Sequence, residues 1–142
     1  MAIELKQVQP RNKKTINMYI NDAIGYDMTP EQPLYYSDEC FGTADAIKFD
    51  EKKRVLRIHD LKTGETPAHM DQLITYAALF FLDYKETIKY ELNLDIQDIA
   101  IELRIYQSNE IIPYFPTTEE ILTRMDLIIK DTQILEKRKA EE

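Results

Sequence analysis

Three side chains in the middle of this chain have the types and spacing for metal-assisted chemistry. Asp45 closes the run Cys40-Phe-Gly-Thr-Ala-Asp45, and Asp60 and Lys62 sit two apart in His59-Asp-Leu-Lys-Thr-Gly64. Residues two apart on a strand share a face, so Asp60 and Lys62 project together. Asp45 precedes a polar turn at Asp50-Glu-Lys-Lys53, and a tight hairpin there brings it close to Asp60. Two adjacent carboxylates repel unless a cation lies between them. Mg²⁺ or Mn²⁺ suits such a pair, because hard cations prefer carboxylate and carbonyl oxygen. The Leu61 backbone carbonyl is a natural third ligand. A metal held this way lowers the pKa of bound water and neutralises charge growing on a phosphorane, which is phosphodiester hydrolysis. Lys62 is placed to orient the water or stabilise the transition state. Further on, Gln72 and Tyr76 are four apart and face the same way on a helix.

The elements around these residues follow from periodicity. Lys13 to Ala23 repeats apolar residues at helical spacing, with Gly25 as its stop. Thr29-Pro-Glu-Gln-Pro33 reads as a break, then Leu34–Tyr36 and Cys40–Phe49 read as strands with Gly42 at a bend. Arg54–Leu61 alternates as a third strand. Pro67 is read as the first turn of a helix running to about Tyr84, with Leu73, Tyr76, Ala77 and Phe80 on one face. Lys85–Asp98 is polar and carries no clear pattern. Ile99–Tyr106 alternates as a strand, and Ile111–Phe115 is placed to pair with it through Ser108-Asn109. Thr117 or Thr118 caps a last helix carrying Ile121, Leu122, Met125, Ile128, Ile129 and Leu135, with residues 137–142 frayed. The expected fold class is α/β, an α+β mixed sheet in one domain over residues 1–142.

Composition bounds the rest. With 44% hydrophobic residues in 142, the chain can bury a core. One cysteine, Cys40, excludes an internal disulfide and makes a reducing cytoplasm the default. Neither a signal peptide nor an apolar run near the ~20 residues of a membrane span is seen, so no membrane partner is expected. A net charge of −8, from 18 basic and 26 acidic residues, opposes a protein that coats DNA through a basic surface.

The pattern Gly42-Thr-Ala-Asp45, Asp60-Leu-Lys62-Thr-Gly64, Gln72-x-x-x-Tyr76 resembles the PD-(D/E)XK nuclease superfamily, and within it the RecB-like and phage exonuclease branch. The likeness is strongest over residues 34–84. It implies a restriction-endonuclease-like core and a Mg²⁺- or Mn²⁺-dependent deoxyribonuclease of exonuclease or recombination type. Small size and high charge density suggest a phage or mobile-element origin, and a phage-encoded protein would work in the host cytoplasm. Asp45 and Asp60 are then metal ligands, Lys62 the catalytic lysine, and Gln72 and Tyr76 the helix pair. Many relatives add an upstream acid; the candidate is Glu39, with Asp38 and Glu31 weaker. Some relatives hold an iron–sulfur cluster on four cysteines, which one cysteine excludes. The expected partner is DNA, with a protein partner or homo-oligomer alongside. The alternative is a weak or inactive nuclease-fold module that binds DNA or protein, or a subunit active only in a larger complex.

Overall fold

A computed structural model describes residues 2–141. Five strands form one mixed sheet in the order β1-β2-β3-β4-β5: β1 Thr29–Ser37, β2 Cys40–Asp50, β3 Val55–Leu61, β4 Ala100–Gln107 and β5 Glu110–Tyr114. Strands β1, β2 and β3 form an antiparallel meander. Strand β4 lies parallel to β3 and antiparallel to β5. The helices are α1 (Thr15–Gly25), α2 (Asp71–Glu86) and α3 (Thr118–Glu141). A parallel pair needs a crossover, and α2 supplies it between β3 and β4.

Alternation divides the sheet into two faces. Leu56 and Ile58 of β3 and Ile101, Leu103 and Ile105 of β4 pack under α2. Helix α2 is apolar nearly all round, with Leu73, Ile74 and Ala77 through Leu82 buried, because α3 covers its outer side. The opposite face carries Tyr19 and Ala23 of α1 against Ala46 and Tyr106. Asp60 continues the row Leu56–Ile58 and so falls on the buried α2 face, at the strand's end.

Several expectations are corrected. Residues 29–33 do not break structure; they begin β1. Pro30 and Pro33 are tolerated because β1 is an edge strand. Gly42 is no bend: β2 runs straight through it and pairs it with Leu34. Pro67 lies in the loop before α2, which starts at Asp71. The unassigned stretch contains a π-helical turn (Thr87–Glu91) and a 3-10 turn (Ile96–Asp98). Residues 137–141 continue α3 and are not frayed, while Glu142 lies outside the described residues. On α3, Ile121 and Ile128 are buried, whereas Leu122 and Leu135 are exposed.

Other readings hold. Ser108 and Asn109 both take positive φ, 51° and 61°, as a two-residue hairpin turn needs. The Thr117 hydroxyl accepts the Glu120 N–H at 3.1 Å, capping α3. Among the described residues, no helix is long and apolar enough to cross a membrane.

Candidate active site

The paired stretch of β2 and β3 ends at Ala46↔His59. Beyond it the Asp45 carboxylate, not a main-chain carbonyl, accepts the Leu61 N–H, at 2.9 Å. That contact turns Asp45 toward the end of β3, where Asp60 is buried at 4% exposure. Burial, and then the neighbouring Asp45 carboxyl, push the Asp60 carboxyl up to about 7. Lys62 opposes that rise, with Nζ 2.8 Å from Asp60 Oδ2. Lys62 thus faces two carboxyl groups, those of Asp60 and Asp45. Asp60 in turn holds Lys62 above the ordinary lysine value, although burial works against it. As an ammonium, Lys62 is suited to stabilising charge.

Helix α2 completes the cluster. Gln72 Oε1 accepts from Lys62 Nζ at 3.1 Å, so the lysine is held from strand and helix together. Tyr76, one turn on, lays its ring over Gly42. A Cβ on Gly42 would stand 2.6 Å from Tyr76 Cε1, so the absent side chain is what admits the ring. Burial, and then Asp60 and Asp45, raise the Tyr76 hydroxyl above its usual value. Asp45, Asp60, Lys62, Gln72 and Tyr76 thus converge from two strands and one helix.

Glu39 does not join them. It lies in the β1–β2 turn and its carboxylate pairs with Lys139 of α3. Six residues of strand, about 20 Å, separate it from Asp45. Asp38 accepts the Tyr35 hydroxyl at 2.7 Å in the same turn. Of the upstream acids, Glu31 is the one beside the site. It stands opposite Asp45 between the pairs Pro30↔Ala46 and Gln32↔Ala44, with φ of 50°. A non-glycine residue in that region is strained, and such strain gathers at functional positions. Glu31, Asp45, Leu61 and Tyr19 line one cleft of about 520 Å³. Burial, then Asp45, Asp60 and Glu31 in that order, raise the Tyr19 hydroxyl. From sequence Tyr19 was one of the apolar residues of α1 at helical spacing and was not read as a site residue.

A divalent cation fits this donor set. Two carboxyl groups, one buried and one half-buried, meet at the strand ends with a single lysine beside them. Among the described residues no three His, Cys, Asp or Glu side chains cluster closely enough to bind a metal by themselves. The holders would be Asp45, Asp60 and the Leu61 carbonyl, with water filling the remaining positions, as Mg²⁺ commonly accepts.

The residues after Lys62 form a second cleft, of about 530 Å³, with Lys62, Gly64, His69 and Gln72 on its walls. Its floor includes Gln107, another residue sequence reasoning passed over.

On the other face of β3 lies a separate charged cluster. Glu102 pairs with Arg57 at 2.5 Å and with Arg104 at 2.9 Å. His59, fully buried, lies 3.4 Å from Glu102 and 3.3 Å from the Tyr106 hydroxyl. That hydroxyl donates to Asp22 of α1 at 2.5 Å. Arg57 is half-buried here, with its guanidinium 4.2 Å from the centre of the Tyr26 ring.

No family model matches the chain, and no curated protein or solved structure is significantly similar to it.

Proposed function

We propose that this protein is a divalent-metal-dependent nuclease that hydrolyses phosphodiester bonds in DNA, of the PD-(D/E)XK type and of exonuclease or recombination character. The observation that carries the reading is the buried Asp60 carboxyl, set against Asp45 with one lysine to balance the two. Burying a carboxylate beside another is costly without a compensating cation. The ordered motifs Gly-Thr-Ala-Asp45, Asp60-x-Lys62 and Gln72-x-x-x-Tyr76 support it independently.

Asp45 and Asp60 would hold Mg²⁺ or Mn²⁺, with the Leu61 carbonyl beside them. When bound, the ion supplies an activated water and neutralises negative charge on the phosphate. Lys62, an ammonium anchored by Asp60 and Gln72, stabilises the growing charge on the phosphate oxygens. Gln72 keeps that ammonium from turning into solvent. Tyr76 packs the helix close enough for Gln72 to reach.

The test is cleavage of labelled linear and circular DNA with Mg²⁺, Mn²⁺ or EDTA, beside Lys62→Ala. Metal-dependent cleavage that the variant loses is the expected result. Equal cleavage by a folded Lys62→Ala protein would overturn the assignment. A linear-over-circular preference would mark an exonuclease.

A second reading, a module or subunit active only in a complex, is favoured by one observation. Ile111, Ile112 and Phe115 around β5 and Leu127, Ile134 and Leu135 on α3 are exposed apolar residues on a chain of net charge −8. It predicts no cleavage by the isolated chain and gain of cleavage with a partner.

A further inference from the structure

The chain from Lys62 to Met70 joins the catalytic end of β3 to α2 and has no regular structure. Lys62 itself is tied to β4, its N–H donating to the Tyr106 carbonyl at 2.9 Å. The next residue of β4, Gln107, is buried at 6% exposure. Its side-chain amide makes three hydrogen bonds, all to this loop. Nε2 donates to the Gly64 and Thr66 carbonyls, each at 2.8 Å, and Oε1 accepts the Ala68 N–H at 3.2 Å. Among the described residues, no other hydrogen bond ties residues 63–69 to the rest of the protein. The loop's ends carry Lys62 and Gln72, which meet at 3.1 Å, and its middle walls the cleft beside them.

We propose that Gln107 is a positioning residue for substrate: it fixes the Gly64–Ala68 wall of the cleft next to Lys62, in which a nucleic-acid strand lies beside the scissile phosphate. This rests on the nuclease reading above. A primary amide is the one short side chain that presents two donors and an acceptor in a plane, and the loop offers two carbonyls and one N–H to match. The cleft bears the Lys62 ammonium and the exposed His69, donors suited to a phosphodiester backbone, and its one acidic lining residue, Asp71, is paired with Arg124. Gln107 touches neither Asp45 nor Asp60 in any recorded bond, so it shapes the substrate's seat and leaves the metal's donors alone.

The test compares the parent with Gln107→Met, which keeps the length and loses all three bonds. The readouts are amide hydrogen exchange over residues 63–70, Mn²⁺ affinity by calorimetry, and kcat and KM on linear DNA. Expected are lost protection in the loop, unchanged Mn²⁺ affinity, and a KM raised on the order of ten-fold, with kcat falling less. Gln107→Glu gives a second route. Ionised, it sets a carboxylate against two carbonyls; protonated, it regains one donor. Its kcat/KM relative to the parent should recover as the medium is made mildly acidic. A parent that cleaves and a folded Gln107→Met that keeps the parental KM and loop protection would overturn this proposal alone. A variant that loses Mn²⁺ affinity as much as substrate affinity would also overturn it, marking a general structural role. A parent inert with every metal would overturn the nuclease reading, and this proposal with it.

Discussion

Strand β3 carries two buried charged clusters on its opposite faces, built from neighbouring residues, and they differ in how their charges are met. On the α1 side, the Glu102 carboxylate faces Arg57, Arg104 and His59, and the Tyr106 hydroxyl bridges His59 to Asp22. Each buried polar atom there has a hydrogen-bond partner. Burial alone would raise the Glu102 carboxyl, yet His59, Arg104 and Arg57 outweigh it and hold the group at about 2. On the α2 side, Asp60 meets another carboxylate and one lysine, and its carboxyl is pushed up to about 7. One cluster is closed within the chain. The other has one lysine for two carboxyl groups. Buried charge that is complete belongs to the scaffold, and buried charge that is incomplete is suited to receive something.

That contrast can be broken or sharpened experimentally. The largest effect is expected from Asp60→Asn. It should reduce metal-dependent cleavage at least about 10²–10³-fold. It should also raise the thermal midpoint of the metal-free protein by roughly 3 °C, as an amide removes the clash of two carboxylates. A drop in that midpoint, measured by circular dichroism, would mean that the α2-side cluster stabilises the fold as its counterpart does. Glu102→Ala should behave oppositely. Leaving Arg57 and Arg104 without their carboxylate should cost about 3–5 kcal/mol in urea denaturation, with activity lost only through unfolding. A stable Glu102→Ala protein that no longer cleaves would move the α1-side cluster into the chemistry.

Gly42→Ala lies between the two in kind. The new methyl would meet the Tyr76 ring, and overpacking of this sort costs about 1–3 kcal/mol. Cleavage should fall with it, since Tyr76 and Gln72 share a helix face. Gly42→Ala paired with Tyr76→Ala should restore most of the stability and little of the cleavage, by the same two assays. The smallest effect is that of pH on Glu102. Its folded value, about 2, lies below the ordinary 4.5, so the stability it contributes is complete above about 4.5 and fades as pH falls toward about 2. The stability difference between parent and Glu102→Gln should therefore shrink across that acid window and stay constant above it.

What could be read from sequence is what short-range geometry dictates. Asp60 and Lys62 share a strand face by parity, Gln72 and Tyr76 share a helix face by period, and one turn brings Asp45 back toward Asp60. These needed no long-range information. Glu39 was ranked above Glu31, but the pairing of β1 with β2 decides the matter, and the first half of β1, residues 29–33, had been read as a break. With that half hidden, the residue opposite Asp45 was hidden too. Gln107 was illegible for a related reason. Its partners are main-chain groups some forty residues away, which leave no trace in residue type. The α1-side cluster draws on α1, β3 and β4, and no single spacing announces it.

The parallel pairing of β3 with β4 has a consequence for the order of assembly. Strands β1, β2 and β3 are joined by tight turns, so Asp45 and Asp60 meet through contacts local in sequence. The grip of Tyr106 on Lys62 and of Gln107 on the loop spans about forty residues and requires the whole crossover through α2 to be laid down. Closure of so long a segment comes late, because its entropy must be lost before any contact repays it. During refolding, metal affinity should therefore return before the lysine and its loop are locked, and cleavage should be the last property to recover.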